Sequence, residues 1–113
     1  MNEFTKSQKK IVRELIQKSL QADCGNFLNQ LEESLSKSKE GSLSNHEIYL
    51  QIFAQVHDFD KYVAHRYDYI RGSTYYTTIL GLLIDNVLTE DDLTPLGEEM
   101  KNNLISSKKR WLD

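Results

Sequence analysis

Residues 5–37 read TKSQKKIVRELIQKSLQADCGNFLNQLEESLSK. Apolar side chains recur at Val12, Ile16, Leu20, Cys24, Phe27/Leu28, Leu31 and Leu35, in steps of three and four. Those steps place them on one stripe of a continuous amphipathic helix. Gly25 falls off the stripe and weakens the helix by ~1 kcal/mol without interrupting the pattern. At 1.5 Å per residue such a helix is roughly 50 Å long, whereas a compact domain of this size has a radius of gyration of about 13 Å. The helix therefore outreaches its own domain, and its apolar stripe needs cover. Either it bends at Gly25, or a second copy of the chain lies against it. The expectation is a homodimer with Val12, Ile16, Leu20, Phe27, Leu28, Leu31 and Leu35 at the interface.

Downstream, the serine-rich stretch 34–44 ends in a loop around Gly41. Ser44-Asn45-His46-Glu47 is a capping box, with Leu43 and Ile48 at the flanking apolar positions. A second helix then carries Ile48, Ile52, Val56, Phe59, Val63 and Tyr67 to about Ile70, with Gly72 suited to the left-handed residue past its end. A third helix from about Thr74 to Val87 buries Tyr76, Ile79, Leu80, Leu83, Ile84 and Val87. Thr94 as cap with Pro95 at the first helical position starts a fourth, through about Ser107. No segment alternates with period two, as a half-buried strand would. The predicted fold class is all-α: a small helical bundle forming one domain over 1–113, with a long dimerising helix (1–39) and a helical body (44–113).

Composition narrows the function. Apolar residues are 39% and charged residues 27% of the 113-residue chain, enough for a small core but not for a sizeable catalytic cavity. The net charge of −3 argues against a general nucleic-acid binder, which needs a basic surface to displace counterions. Residues 1–39 hold seven Lys/Arg against five Asp/Glu, and residues 73–113 four against seven, a tilt that ordinary solvated faces account for. Cys24 is the sole cysteine, so no internal disulfide forms, as in a reducing compartment. No signal peptide is legible at the N-terminus, and the apolar run Ile79–Ile84 is too short to span a bilayer. A cytoplasmic protein without membrane association is expected.

Few residues suggest chemistry. His46, the pair His57-Asp58, and Asp85 mimic the ligand order of metal-dependent HD phosphohydrolases, although the gap between His46 and His57 is short for that bundle. His57, Lys61 and His65 share a helix face but have no neighbour to complete a zinc site. Cys24 lies on the apolar stripe, where a thiol is packing material. Phosphate-binding glycine loops are absent. No enzyme, cofactor or bound metal is expected. A helix-turn-helix built from the third and fourth helices is the nucleic-acid alternative. Between Phe59 and Tyr76, aromatic residues interleave with Lys61, His65, Arg66 and Arg71, and Tyr and Arg are the side chains that dominate protein interfaces. His57, Asp58, Phe59, Tyr62, Arg66, Tyr69 and Arg71 form the expected docking patch for an unidentified protein partner.

The series His57-Asp58-Phe59, Arg66-Tyr67-Asp68-Tyr69, Leu82-Leu83-x-x-Asn86-x-Leu88 and Asp91-Asp92-Leu93 resembles the fluorescence recovery proteins. These carry His-Asp-Phe, Lys-Tyr-Asp, a Leu-Leu-x-x-Gly-x-Leu-type segment and an acidic pair before leucine in the same order. The resemblance covers roughly residues 56–104. It implies an all-helical homodimer that binds the carotenoid-carrying photoprotective protein of cyanobacteria and speeds its return to the resting state. It also implies that His57, Asp58 and Phe59 contact that partner, with Arg66, Tyr67 and Asp68 taking the place of Lys-Tyr-Asp. Ala54 stands where the family has tryptophan, Ala64 stands where it has arginine, and the spacing between the first two motifs is shorter by about four residues.

Overall fold

Thr5 and Gln8 open the first helix by exchanging hydrogen bonds: the Gln8 amide donates to Thr5 Oγ1 at 3.1 Å and the Thr5 amide to Gln8 Oε1 at 2.8 Å. A computed structural model of the chain describes residues 3–113. It contains α1 (Lys6–Glu40), α2 (Asn45–Tyr67), α3 (Tyr75–Ile84) and α4 (Glu98–Leu112), with 3-10 turns at Gly72–Thr74 and Asp91–Leu96. Among the described residues there is no strand, and no helix is long and apolar enough to cross a membrane. The expected all-α class is correct. Helix α1 runs unbroken through Gly25.

The chain groups into two compact units. One combines the segment up to Leu20 with Tyr69–Asp113, and the other is Gln21–Asp68. The division between them falls within α1 and again after Asp68. Nearly the whole core belongs to the first unit. Phe4, Val12 and Leu15 are buried there, as are Tyr76, Ile79, Leu82, Leu83, Leu88, Leu93, Leu96, Met100 and Leu104. Ser19, fully enclosed, turns its hydroxyl back to the Leu15 carbonyl at 2.8 Å, which satisfies it without a partner from another helix. The Tyr76 hydroxyl bonds the Asn103 side-chain oxygen and lies 2.7 Å from Ser107 Oγ.

Three boundaries differ from the sequence expectation. Helix α3 stops at Ile84 because Asn86 turns left-handed (φ 62), and the Val87 and Leu88 amides then close on the Leu82 carbonyl. Leu82 consequently points inward, while Leu80, Ile84 and Val87 are only half-buried. Thr94 and Pro95 do not start α4 but lie in the 3-10 turn. That turn opens on a reciprocal pair, the Thr89 amide donating to Asp92 Oδ2 at 2.8 Å and the Asp92 amide to Thr89 Oγ1 at 3.3 Å. Helix α4 begins only after Gly97, whose φ of 94 strongly favours glycine.

Asp92 also meets Lys18 Nζ at 2.6 Å. The lysine and the Thr89 amide hold the Asp92 carboxyl below its ordinary range. A depressed carboxyl stabilises the fold above its unfolded value, and that contribution is lost as pH falls through the depressed one. Because Lys18 is largely exposed, the ion pair itself contributes little and most of the effect is the cap. Asp92→Ala is expected to cost about 1–2 kcal/mol at neutral pH. Urea unfolding of both chains should show that difference shrinking below the ordinary aspartate range. An undiminished gap in acid contradicts the assignment.

The third difference concerns the end of α2. Gly72 does not take the left-handed position and starts a 3-10 turn instead. Tyr69 takes it, with φ 64 and 88% exposure. A bulky residue there costs about 1–2 kcal/mol, partly offset in glycine by its greater chain entropy. Tyr69→Gly is expected to raise stability by about 0.5–1 kcal/mol, read as a higher melting temperature at fixed protein concentration. A lower one would mean that the tyrosine ring contributes more than its exposure indicates.

Candidate functional site

The second unit is a helical hairpin. Phe27 of α1 stacks on Phe59 of α2, ring centroids 4.1 Å apart and 6° from parallel. Ser38 Oγ donates to Gln51 Oε1 at 3.1 Å. Near the other end, Tyr62 and Tyr67 both donate to Asp23 Oδ2, at 3.0 and 2.6 Å. As the α1 number falls the α2 number rises, so the two helices run antiparallel. Burial first, and then the bond to Asp23, push the Tyr67 hydroxyl well above the ordinary tyrosine range, so it remains a neutral donor. The loop end is closed by the predicted capping box, with the Glu47 amide donating to Ser44 Oγ at 3.2 Å and the Ser44 amide to Glu47 Oε1 at 3.1 Å. Those bonds lower the Glu47 carboxyl.

This hairpin has almost no interior. Ile48 is its only buried apolar side chain. From the Phe27/Phe59 seam, at about 100° per residue, Leu28, Leu31 and Leu35 rotate to one side of α1. Tyr49, Phe53 and Val56 rotate to the same side of α2, because rotations in an antiparallel pair mirror each other. Leu28, Tyr49 and Phe53 are 60%, 61% and 59% exposed. A ladder of rings climbs this side and beyond it: His46–Tyr49 and Tyr49–Phe53 at 6.4 Å, Phe53–His57 at 6.1 Å. One side of the hairpin is therefore a broad apolar surface open to solvent.

The other side is a groove. Two adjoining depressions, of about 390 and 290 Å³, share Phe27, Gln30 and Phe59. Ser34, Gln55 and Asp58 complete one, and Asp23, Asn26 and Tyr62 the other. Phe59 and Tyr62 rings sit 5.8 Å apart, and the Arg66 guanidinium lies 5.4 Å from the Tyr62 ring centre.

No family model, curated protein or solved structure matches the chain. The reading of this surface rests on its own geometry.

Of the seven expected docking residues, Asp58, Phe59, Tyr62 and Arg66 come together along the groove. His57 does not. It turns to the apolar side and stacks on Phe53. Tyr69 and Arg71 belong to the first unit, where the Arg71 amide bonds Thr74 Oγ1 at 3.0 Å. Of the expected interface residues, Val12 is fully enclosed by its own unit, and Ile16, Leu20, Phe27 and Leu31 are half-buried. Leu28 and Leu35 remain exposed.

Tyr49 and Phe53 were not expected at a surface, nor were Gln30 and Gln55 at a groove. Tyr49, Phe53 and Val56 follow i, i+4, i+7 spacing, a signal hidden because it overlaps the stripe that packs on α1. The alternative chemistries lack their geometry. His46 and His57 are eleven residues apart on one helix, about 16 Å at 1.5 Å per residue, too far to share an ion. No three His, Cys, Asp or Glu side chains group as metal ligands among the described residues. Residues 85–97 separate α3 from α4, far more than the 3–4-residue turn of a helix-turn-helix.

Proposed function

We propose that this chain is a homodimeric, non-enzymatic module that binds another protein through its α1–α2 hairpin. The observation carrying the reading is the two-sided character of that hairpin. Ordering a residue costs about 1–2 kcal/mol of backbone entropy, and a hairpin with one buried apolar side chain has little to offset it. Pairing the apolar sides of two copies buries Leu28, Leu35, Tyr49, Phe53 and Val56 in a four-helix arrangement and leaves the grooves outward. The requirement for cover, argued from the length of α1, thus applies to its second half only. Its first half is covered within the chain.

In this reading the groove residues Asp58, Phe59, Tyr62 and Arg66 contact the partner. The module acts by preferring one conformation of that partner, shifting its equilibrium by the difference in affinity. The resemblance to the fluorescence recovery proteins gives the partner a class, a carotenoid-carrying photoprotective protein. Ala54 and Ala64 stand where the family has its tryptophan and arginine, so this chain lacks those two side chains for any such partner.

Sedimentation equilibrium at micromolar concentration tests the first half of the reading. Twice the chain mass is expected, and a stably folded single chain removes the dimer. Capture from the native host with wild type and Arg66→Glu tests the second. Identical sets of recovered proteins would place the docking surface elsewhere.

A further inference from the structure

The two units of the chain differ in what holds each together. Twelve of the thirteen buried apolar side chains belong to the first unit, and only Ile48 to the hairpin of residues 21–68. Of the eleven large apolar side chains exposed among the described residues, eight lie on that hairpin. Its helices meet through the Phe27/Phe59 stack, a hydrogen bond from Ser38 to Gln51, and bonds from Tyr62 and Tyr67 to Asp23. The Ser38 and Tyr62 bonds are exposed to water. Little apolar burial and solvated hydrogen bonds mark a segment that opens at low free energy.

We infer, on the premise of the dimer reading, that residues 21–68 fold only when two copies pair, while the first unit is folded in the single chain. The first unit can stay closed with the hairpin open, because the cost of the resulting loop grows only as the logarithm of its length. In the open state α2 and the part of α1 beyond Leu20 lose each other's support, and helices without tertiary contacts are marginal in water. Pairing covers Leu28, Leu35, Tyr49, Phe53 and Val56 and so supplies the apolar burial that the hairpin lacks. Obligate dimers often have no stably folded single form; here that holds for one unit and not for the other. The consequence falls on the groove, which takes Phe27 and Gln30 from α1 and Asp58 and Phe59 from α2. It exists only in the paired state. Pairing and partner binding are therefore linked, and each tightens the other by the same factor.

Hydrogen exchange of the full-length wild-type chain, followed by mass spectrometry on either side of the concentration at which sedimentation shows half the dimer dissociated, tests this. On dilution, the amides of residues 21–68 are expected to lose protection by at least about tenfold, whereas those of α3 and α4 keep theirs. Phe53→Glu should show the diluted pattern at both concentrations. Glutamate forms helices well, and the position is exposed within its own chain. Single chains that keep the hairpin protected, whether diluted wild type or Phe53→Glu, overturn this inference alone. Loss of protection in both units together also overturns it, since the first unit then depends on pairing as well. A wild-type chain that sediments singly at every concentration overturns the dimer reading, and this inference with it.

Discussion

Phe53→Glu is expected to convert the proposed dimer to a single chain at micromolar concentration, weakening association by about a thousandfold or more. Phe53 is exposed within the chain and flanked by Tyr49 and His57 in the ring ladder. In a twofold pairing of the apolar sides each copy buries one such ring. Burying a phenylalanine contributes about 2 kcal/mol relative to leaving it in water, and the dimer has two. Glutamate forfeits both contributions and adds the cost of bringing two carboxylates out of water. The first unit, whose core lies elsewhere, should keep its helices, so circular dichroism should fall in part and not collapse. Sedimentation decides the matter. A glutamate variant that still runs as a dimer would show that the apolar side is not the interface.

Leu83→Ala is expected to cost about 3–4 kcal/mol of folding stability, within the range for buried leucines in well-packed sites. Leu83 is fully enclosed among the side chains of the first unit, and truncation leaves a cavity that neighbours on rigid helices fill only partly. The same truncation at Leu28 provides the contrast. That side chain is mostly exposed, so Leu28→Ala should change folding stability by less than about 1 kcal/mol and should weaken self-association instead. Urea unfolding and sedimentation of both variants separate the effects. If Leu28→Ala unfolds the chain as severely as Leu83→Ala, the hairpin has an interior of its own and the case for a second copy fails.

Much of the fold was legible because local signals agreed with the tertiary result. The Ser44–Glu47 box starts α2 where it was read, since both of its bonds are formed within four residues. The α1 stripe left the course of the helix at Gly25 open, and α1 continues through it. Misreadings came where a local preference met a competing one. Pro95 is a good first helical residue, yet it lies in the 3-10 turn that the pair of bonds between Thr89 and Asp92 opens. Gly72 was the natural left-handed residue, but α2 ends earlier and Tyr69 takes that conformation.

The candidate site was half-legible for a different reason. Asp58, Phe59 and Tyr62, grouped by composition and spacing, line one groove, with Arg66 beside the Tyr62 ring. The other wall of the groove, Asp23, Asn26, Gln30 and Ser34, comes from α1, thirty or so positions earlier, and no local pattern links it to them.

The sequence by itself determined the helices, because turn periodicity and capping bonds are formed by neighbours along the chain. Only the tertiary structure decided which apolar residues are spent inside. Helix α1 gives Val12 and Leu15 to the first unit's core and Phe27 to the hairpin seam, leaving Leu28, Tyr49 and Phe53 in solvent. A helix turning about 100° per residue can serve more than one neighbour along its length. Which neighbour each stretch meets depends on contacts between residues far apart in the chain, and periodicity does not record them.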